Sequence, residues 1–145
     1  VRLSPNFTLA ELTVSETAAR RGLDNSPPPE IIENLKRLAD ALQQVRSLLG
    51  NKAILVSSGY RSLAVNLAVG GSKNSDHTKG LAADFICPSY GSPDEIIKAI
   101  VASDIPYKQV IREFDRWVHF SISDQGEAPR KQALIIDRTG TRNYA

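Results

Sequence analysis

Apolar residues recur at steps of three and four from Ile32 through Leu35, Leu38, Leu42 and Val45 to Leu49, stacking on one stripe of an amphipathic helix closed by Gly50. Ser26-Pro27-Pro28-Pro29 gives that helix a rigid lead-in. Upstream, Thr8 and Glu11 of Asn6-Phe7-Thr8-Leu9-Ala10-Glu11-Leu12 stand at capping-box spacing, which predicts a short helix. Ser15 to Arg21 predicts another, ended by Gly22. Residues 1–50 are therefore expected to be helical.

Past Gly50 the period changes. Ala53-Ile54-Leu55-Val56 is a short β-type run, Ser58-Gly59-Tyr60-Arg61-Ser62 turns the chain, and Leu63 to Val69 predicts a helix. A loop, Gly70-Gly71-Ser72-Lys73-Asn74-Ser75, delivers His77 and Gly80 to a largely buried strand at Leu81-Ala82-Ala83-Asp84-Phe85-Ile86. Ser92-Pro93-Asp94-Glu95 combines a cap, an N1 proline and a capping-box glutamate ahead of Ile96, Ile97, Ile100 and Val101. Gln109 to Glu113 and Trp117 to Ser121 form a hairpin around Asp115, and Ala133 to Ile136 is a last strand. The class is α+β, a helical N-terminal layer packed on a small, mainly antiparallel sheet. With neither repeat nor long linker, residues 1–145 are expected to be one domain, 1–50 helical and 51–145 α+β.

Composition narrows the function classes. With 41% hydrophobic and 23% charged residues and no apolar run near the ~18–20 residues of a membrane span, a soluble chain without a span is expected. Eighteen Lys and Arg against sixteen Asp and Glu leave a net charge of +2, and the basic residues are scattered. Nucleic acid is not an expected partner. Cys87, the single cysteine, has no intramolecular disulfide partner and reads as a small buried hydrophobe beside Pro88.

The two histidines, His77 and His119, both fall in loop or strand-edge context rather than in a helical apolar stripe. Zinc takes imidazole nitrogen and carboxylate oxygen, and catalytic sites use three protein ligands with a fourth position open. His77, Asp84 and His119 could supply those three, since a seven-residue step from His77 to Asp84 lets a loop fold back on a strand start. The competing reading is two packed, hydrogen-bonded histidines, His119 lying next to Phe120 and near Trp117.

Ser75-Asp76-His77-Thr78-Lys79-Gly80-Leu81-Ala82-Ala83-Asp84 matches an S-x-H-x-x-G-x-A-x-D pattern. In this, in Ser58-Gly59-Tyr60-Arg61-Ser62, in Trp117-Val118-His119 and in Asn6 to Leu12, the chain resembles the zinc D-Ala-D-Ala carboxypeptidase family. That family includes D,D-dipeptidases and phage endolysins, and the likeness covers nearly the whole chain. The resemblance implies a hedgehog-like α+β fold and one zinc ion on His77, Asp84 and His119. It further implies hydrolysis of peptide bonds in peptidoglycan stem peptides, as a D,D-carboxypeptidase or endopeptidase. The expected partner is then the stem peptide and the expected place of action the bacterial cell wall, reached by secretion or phage delivery. A monomer is expected.

The proton carrier departs from the family pattern. Many relatives carry a carboxylate three residues before the last histidine; here Arg116 stands there and cannot serve. Glu113, six residues before His119, is the replacement, as some relatives of this fold have a glutamate at that offset. A three-residue connection, Phe114-Asp115-Arg116, would pair Glu113 with Trp117 and put both on the face of His119. A two-residue connection would pair Phe114 with Trp117, turn Glu113 away and promote Asp115 or a substrate group as the proton carrier. The resemblance assigns Arg61 to a carboxylate or oxyanion, for which its donor fork is suited. Loop bracing through backbone carbonyls is the alternative for Arg61.

Ser75 is expected to bind the substrate's terminal carboxylate, or else to cap the loop of His77. Tyr60 and Trp117 line the cleft or simply pack, and Asn66 makes a local loop bond. Arg116 motivates a second reading, a zinc-stabilised binding or assembly module such as a phage structural component, without turnover. Neither Ser75 nor Cys87 stands in a nucleophile-elbow sequence, and Gly70-Gly71-Ser72-Lys73 lacks P-loop spacing.

Overall fold

The computed structural model describes residues 1–144. Helices α1 (Leu9–Thr13), α2 (Glu16–Arg21) and α3 (Pro29–Leu48) form the expected N-terminal layer. Thr8 and Glu11 make the capping box of α1, Ser15 caps α2, and Gly22 ends α2 in the left-handed region at φ 64°. The opening is not wholly helical, however. Strands β1 (Arg2–Ser4) and β2 (Phe7–Thr8) make a small hairpin before α1. Burial of Phe7 and a hydrogen bond from Ser4 Oγ to the Ala39 carbonyl pin it to α3, a tertiary constraint that local periodicity does not encode.

The main sheet has six strands: β3 (Leu55–Ser58), β4 (Ala82–Ile86), β5 (Gln109–Glu113), β6 (Trp117–Ser121), β7 (Gln132–Asp137) and β8 (Gly140–Asn143). Their order is β3-β4-β6-β5-β7-β8, antiparallel except for the parallel pair β5–β7. Between β3 and β4 come α4 (Leu63–Ala68) and a 3₁₀ turn, Asp76–Lys79; α5 (Pro93–Val101) links β4 to β5. β3 starts two residues later than the apolar run suggests, because pairing with Asp84–Ile86 of β4 fixes its extent. Ile54 instead enters the core ahead of the strand. The final strand is β8 rather than β7, and β8 is exposed throughout.

Alternation along the strands gives the sheet two chemically different faces. Ala83, Phe85, Val110, Val118 and Phe120 point to one side and are fully buried with Leu35, Leu38 and Leu42 of α3 and Ile96, Ile97 and Ile100 of α5. Cys87 is buried in the same core, free of any disulfide. The other face carries Asp84, Ile111, Glu113, Trp117 and His119, brought level by the pairs Asp84↔His119, Ile111↔His119 and Glu113↔Trp117. Among the described residues no helix is long and apolar enough to cross a membrane.

Candidate metal centre

His77, Asp84 and His119 converge on this polar face, with one ligand atom from each lying within 4.8 Å of the others. β4 supplies Asp84 and its neighbour β6 supplies His119, so two ligands are fixed by one strand register. His77 comes from the 3₁₀ turn, which ends at Gly80 with φ 72°, a left-handed conformation that glycine adopts without strain.

His77 Nδ1 lies 2.8 Å from the Gly59 carbonyl. A carbonyl can only accept, so Nδ1 carries the proton and Nε2 keeps its lone pair, aimed at Asp84 Oδ1 3.4 Å away. Gly59 can present that carbonyl because its backbone runs against Leu12, whose carbonyl a Cβ at position 59 would strike. His119 Nδ1 lies 3.0 Å from the same Asp84 Oδ1.

Two imidazoles and a carboxylate, one imidazole already oriented by a backbone acceptor, form a donor set that suits zinc. The side chains of Asp84 and His119 keep 11% and 12% of their exposure, and a cavity of about 280 Å³ lined by Ser75, Gln109 and Ile111 opens onto His119.

Burial alone would raise the Asp84 carboxyl, but the hydrogen bond from His119 and, with both ring nitrogens protonated, a second from His77, together with the charge of the two imidazoliums, hold it well below the usual carboxylate range. Glu113 is shifted the other way. Its half-burial raises it first and the Asp84 charge adds to this, with His119, His77 and Arg61 pulling back. Those contributions place Glu113 in the electrostatic field of the cluster. The connection 114–116 has three residues, with Glu113 opposite Trp117. It turns through left-handed Phe114 and Asp115 at φ 52° and 53°, closed by a hydrogen bond from Arg116 N to the Glu113 carbonyl.

Arg61 spreads its fork over side chains rather than backbone carbonyls. Nε donates to Ser58 Oγ at 3.1 Å, Nη1 to Asn66 Oδ1 at 3.2 Å, and Nη2 lies 3.6 Å from Asp84 Oδ2. Ser75 Oγ accepts from His77 N at 3.2 Å and borders the cavity at His119. Tyr60 is buried in the core, its N–H on the Leu12 carbonyl and its phenol raised by desolvation. Trp117 is half-buried beside Phe114, with ring centres 6.4 Å apart.

Two supports escape sequence reasoning. Asn66 is fully buried and does more than tie one loop, since it accepts from Arg61 and donates to the Ser72 carbonyl at 2.7 Å. A buried polar residue inside Leu63-Ala64-Val65-Asn66-Leu67 was its only signal. Lys108 Nζ bonds both Asp76 oxygens, at 3.0 and 2.9 Å, anchoring the turn of His77 to the residue before β5. The two are 32 positions apart, so no local pattern marks them.

Replacing Lys108 with methionine strands the Asp76 carboxylate, whose side chain is only 11% exposed. The expected loss is about 1–3 kcal/mol of stability, read as a lower urea midpoint at unchanged m-value in zinc-free protein.

A mixed α+β fold that gathers a His-Asp-His set on the polar face of its sheet defines a candidate metal-binding centre. The chain belongs to the Peptidase M15 family, whose model matches residues 5–121 and so contains all three ligand candidates, Glu113 and Arg61. A zinc D-Ala-D-Ala carboxypeptidase from Streptomyces albus G is 46% identical over 50 residues, which are 34% of this chain. The match spans about a fifth, 20%, of that relative's length.

Proposed function

We propose that the chain is a zinc metallopeptidase that hydrolyses peptide bonds in the stem peptides of bacterial peptidoglycan, as a D,D-carboxypeptidase or endopeptidase. The convergence of His77, Asp84 and His119 beside Glu113 on one accessible face is the observation that supports it most. Membership of Peptidase M15 and the likeness to a zinc D-Ala-D-Ala carboxypeptidase supply the substrate class.

His77 Nε2, Asp84 Oδ1 and His119 Nδ1 would hold the ion. A bound zinc would supply Lewis acidity toward the scissile carbonyl and a lowered pKa for the attacking water. Glu113 would accept one proton from the attacking water as its oxygen adds to the carbonyl carbon and return that proton to the amine nitrogen as the C–N bond breaks, leaving a carboxyl group, a free amine and an unprotonated Glu113. Its half-buried position favours this, because a carboxylate raised by desolvation is a stronger base.

Arg61, fixed by Ser58 and Asn66, keeps a donor beside Asp84 for the oxyanion or a substrate carboxylate. The Ser75 oxygen is spent as acceptor toward His77 N, which leaves its proton free to donate to a terminal carboxylate. Trp117 walls the groove, and buried Tyr60 supports the Arg61 loop from behind.

The test is incubation of zinc-loaded protein with a peptide ending in D-Ala-D-Ala and with purified peptidoglycan, followed by mass spectrometry. Release of D-Ala marks the carboxypeptidase and shortened cross-links the endopeptidase. Stoichiometric zinc with neither product would instead support the binding module that Arg116 suggests.

A further inference from the structure

The hairpin turns 114–116 and 138–139 lie side by side at one end of the sheet, tied by a hydrogen bond from Phe114 N to the Ile136 carbonyl at 2.7 Å. Between them is a cavity of about 670 Å³ lined by Phe114, Arg116, Trp117, Asp137, Arg138 and Thr139. Its charge is one-sided. Asp137 is engaged by Arg142, with Nη1 on Oδ1 at 2.9 Å and Nη2 on Oδ2 at 2.8 Å, and by Thr139. Arg116 and Arg138 are exposed, and among the described residues neither has an ion-pair partner. The indole Nε1 of Trp117 is buried without a hydrogen-bond acceptor. Two free guanidinium groups beside the aromatic walls of Phe114 and Trp117 suit an anion carried on an organic chain.

The position of the cavity says which part of such a chain it meets. Trp117 is two residues from His119 on the same face, roughly 7 Å along β6. The cavity bordered by Ser75 lies on the opposite side of His119, next to Gln109 and Ile111. A peptide laid along β5 and β6 with its C-terminal end at Ser75 therefore sends its N-terminal part toward the turns.

Resting on the peptidase reading above, we propose that Arg116 and Arg138 bind a carboxylate borne about two residues N-terminal to the cut. Phe114 and Trp117 would hold the adjoining chain. The arginine that departs from the family's acidic position is thereby a specificity determinant. Arg138 belongs to a β7–β8 turn beyond the residues the family model matches.

Trp117 is the sole tryptophan, so its emission reports occupancy directly. Zinc-loaded protein would be titrated with two peptides ending in D-Ala-D-Ala, identical except for a carboxylate or a carboxamide two residues before the cut. The acidic peptide is expected to bind about tenfold tighter, the effect of one charge-assisted contact. In Arg116→Gln/Arg138→Gln the two peptides should bind alike, at the affinity of the carboxamide. A preference that survives the double substitution, or one absent from the unaltered protein, overturns the proposal. Arginine-dependent quenching by a short poly(glycerol phosphate) without peptide discrimination overturns it too, in favour of an anionic polymer. Arginine-dependent binding with no cleavage would refute the peptidase reading alone; cleavage of both peptides at equal kcat/KM would refute the carboxylate site alone.

Discussion

Glu113→Gln is expected to lower kcat/KM on a D-Ala-D-Ala peptide by about 10²–10⁴-fold, the usual contribution of a positioned general base, while one zinc per chain is retained. Glutamine keeps the shape of the side chain and cannot accept the proton. Stability separates this role from a structural one. A carboxyl whose folded pKa is raised lies in a site that disfavours its charge, so the ionised form costs stability, and that cost appears as pH rises through the raised value. At pH 7 the zinc-free Glu113→Gln protein should therefore melt no lower than the unaltered chain. A residue kept for structure would give the reverse, normal hydrolysis with a lowered melting point. Asp115 is a control on the neighbouring left-handed turn. Asp115→Asn should leave hydrolysis intact if Glu113 carries the proton, and its loss of activity would move the role to Asp115.

The asymmetry between Glu113 and Asp115 shows what the sequence could and could not convey. The span of the β5–β6 hairpin is legible because two short β-type runs, Gln109–Glu113 and Trp117–Ser121, flank a connection centred on Asp115, a residue that tolerates the left-handed turn. Once the connection is counted as three residues, the pleat alone puts Glu113 level with Trp117 on the face of His119. The α5 start is legible for a similar reason, since Ser92, Pro93 and Glu95 carry their capping function locally. β8 gives no such signal: Gly-Thr-Arg-Asn is polar, fully exposed, and held only by its pairing with β7. Likewise, the pairing of Lys108 with Asp76, 32 positions apart, cannot be anticipated from spacing, because the fold alone brings them together. The ligand candidates stood out because the chain has only two histidines, one of them inside a ten-residue motif. Their actual orientation depends on the Gly59 carbonyl, which a one-dimensional reading does not reveal.

Zinc should raise the melting temperature of the unaltered chain by about 10 °C at a free concentration a thousandfold above Kd, from roughly 4 kcal/mol of linkage at about 2–4 °C per kcal/mol. Asp84→Asn should abolish most of that rise. An amide is a poor ligand beside a carboxylate, and losing even the orientation of a ligand costs about 10–100-fold in metal affinity. The zinc-free fold should also suffer, because His119, His77 and Arg61 all turn toward Asp84 oxygens that would lose their charge. Acidification distinguishes the two effects. Protons compete with zinc for the ligand atoms, so the zinc increment shrinks on acidification. Asp84 is depressed in the folded protein; its own contribution is present above the ordinary carboxylate value of about 3.9 and is lost only as pH drops further, toward the folded value. The Asp84 contribution to the zinc-free fold should thus persist down to about pH 4, whatever becomes of the zinc increment. An Asp84→Asn protein that keeps the full zinc increment at pH 7 would remove this carboxylate from the ligand set.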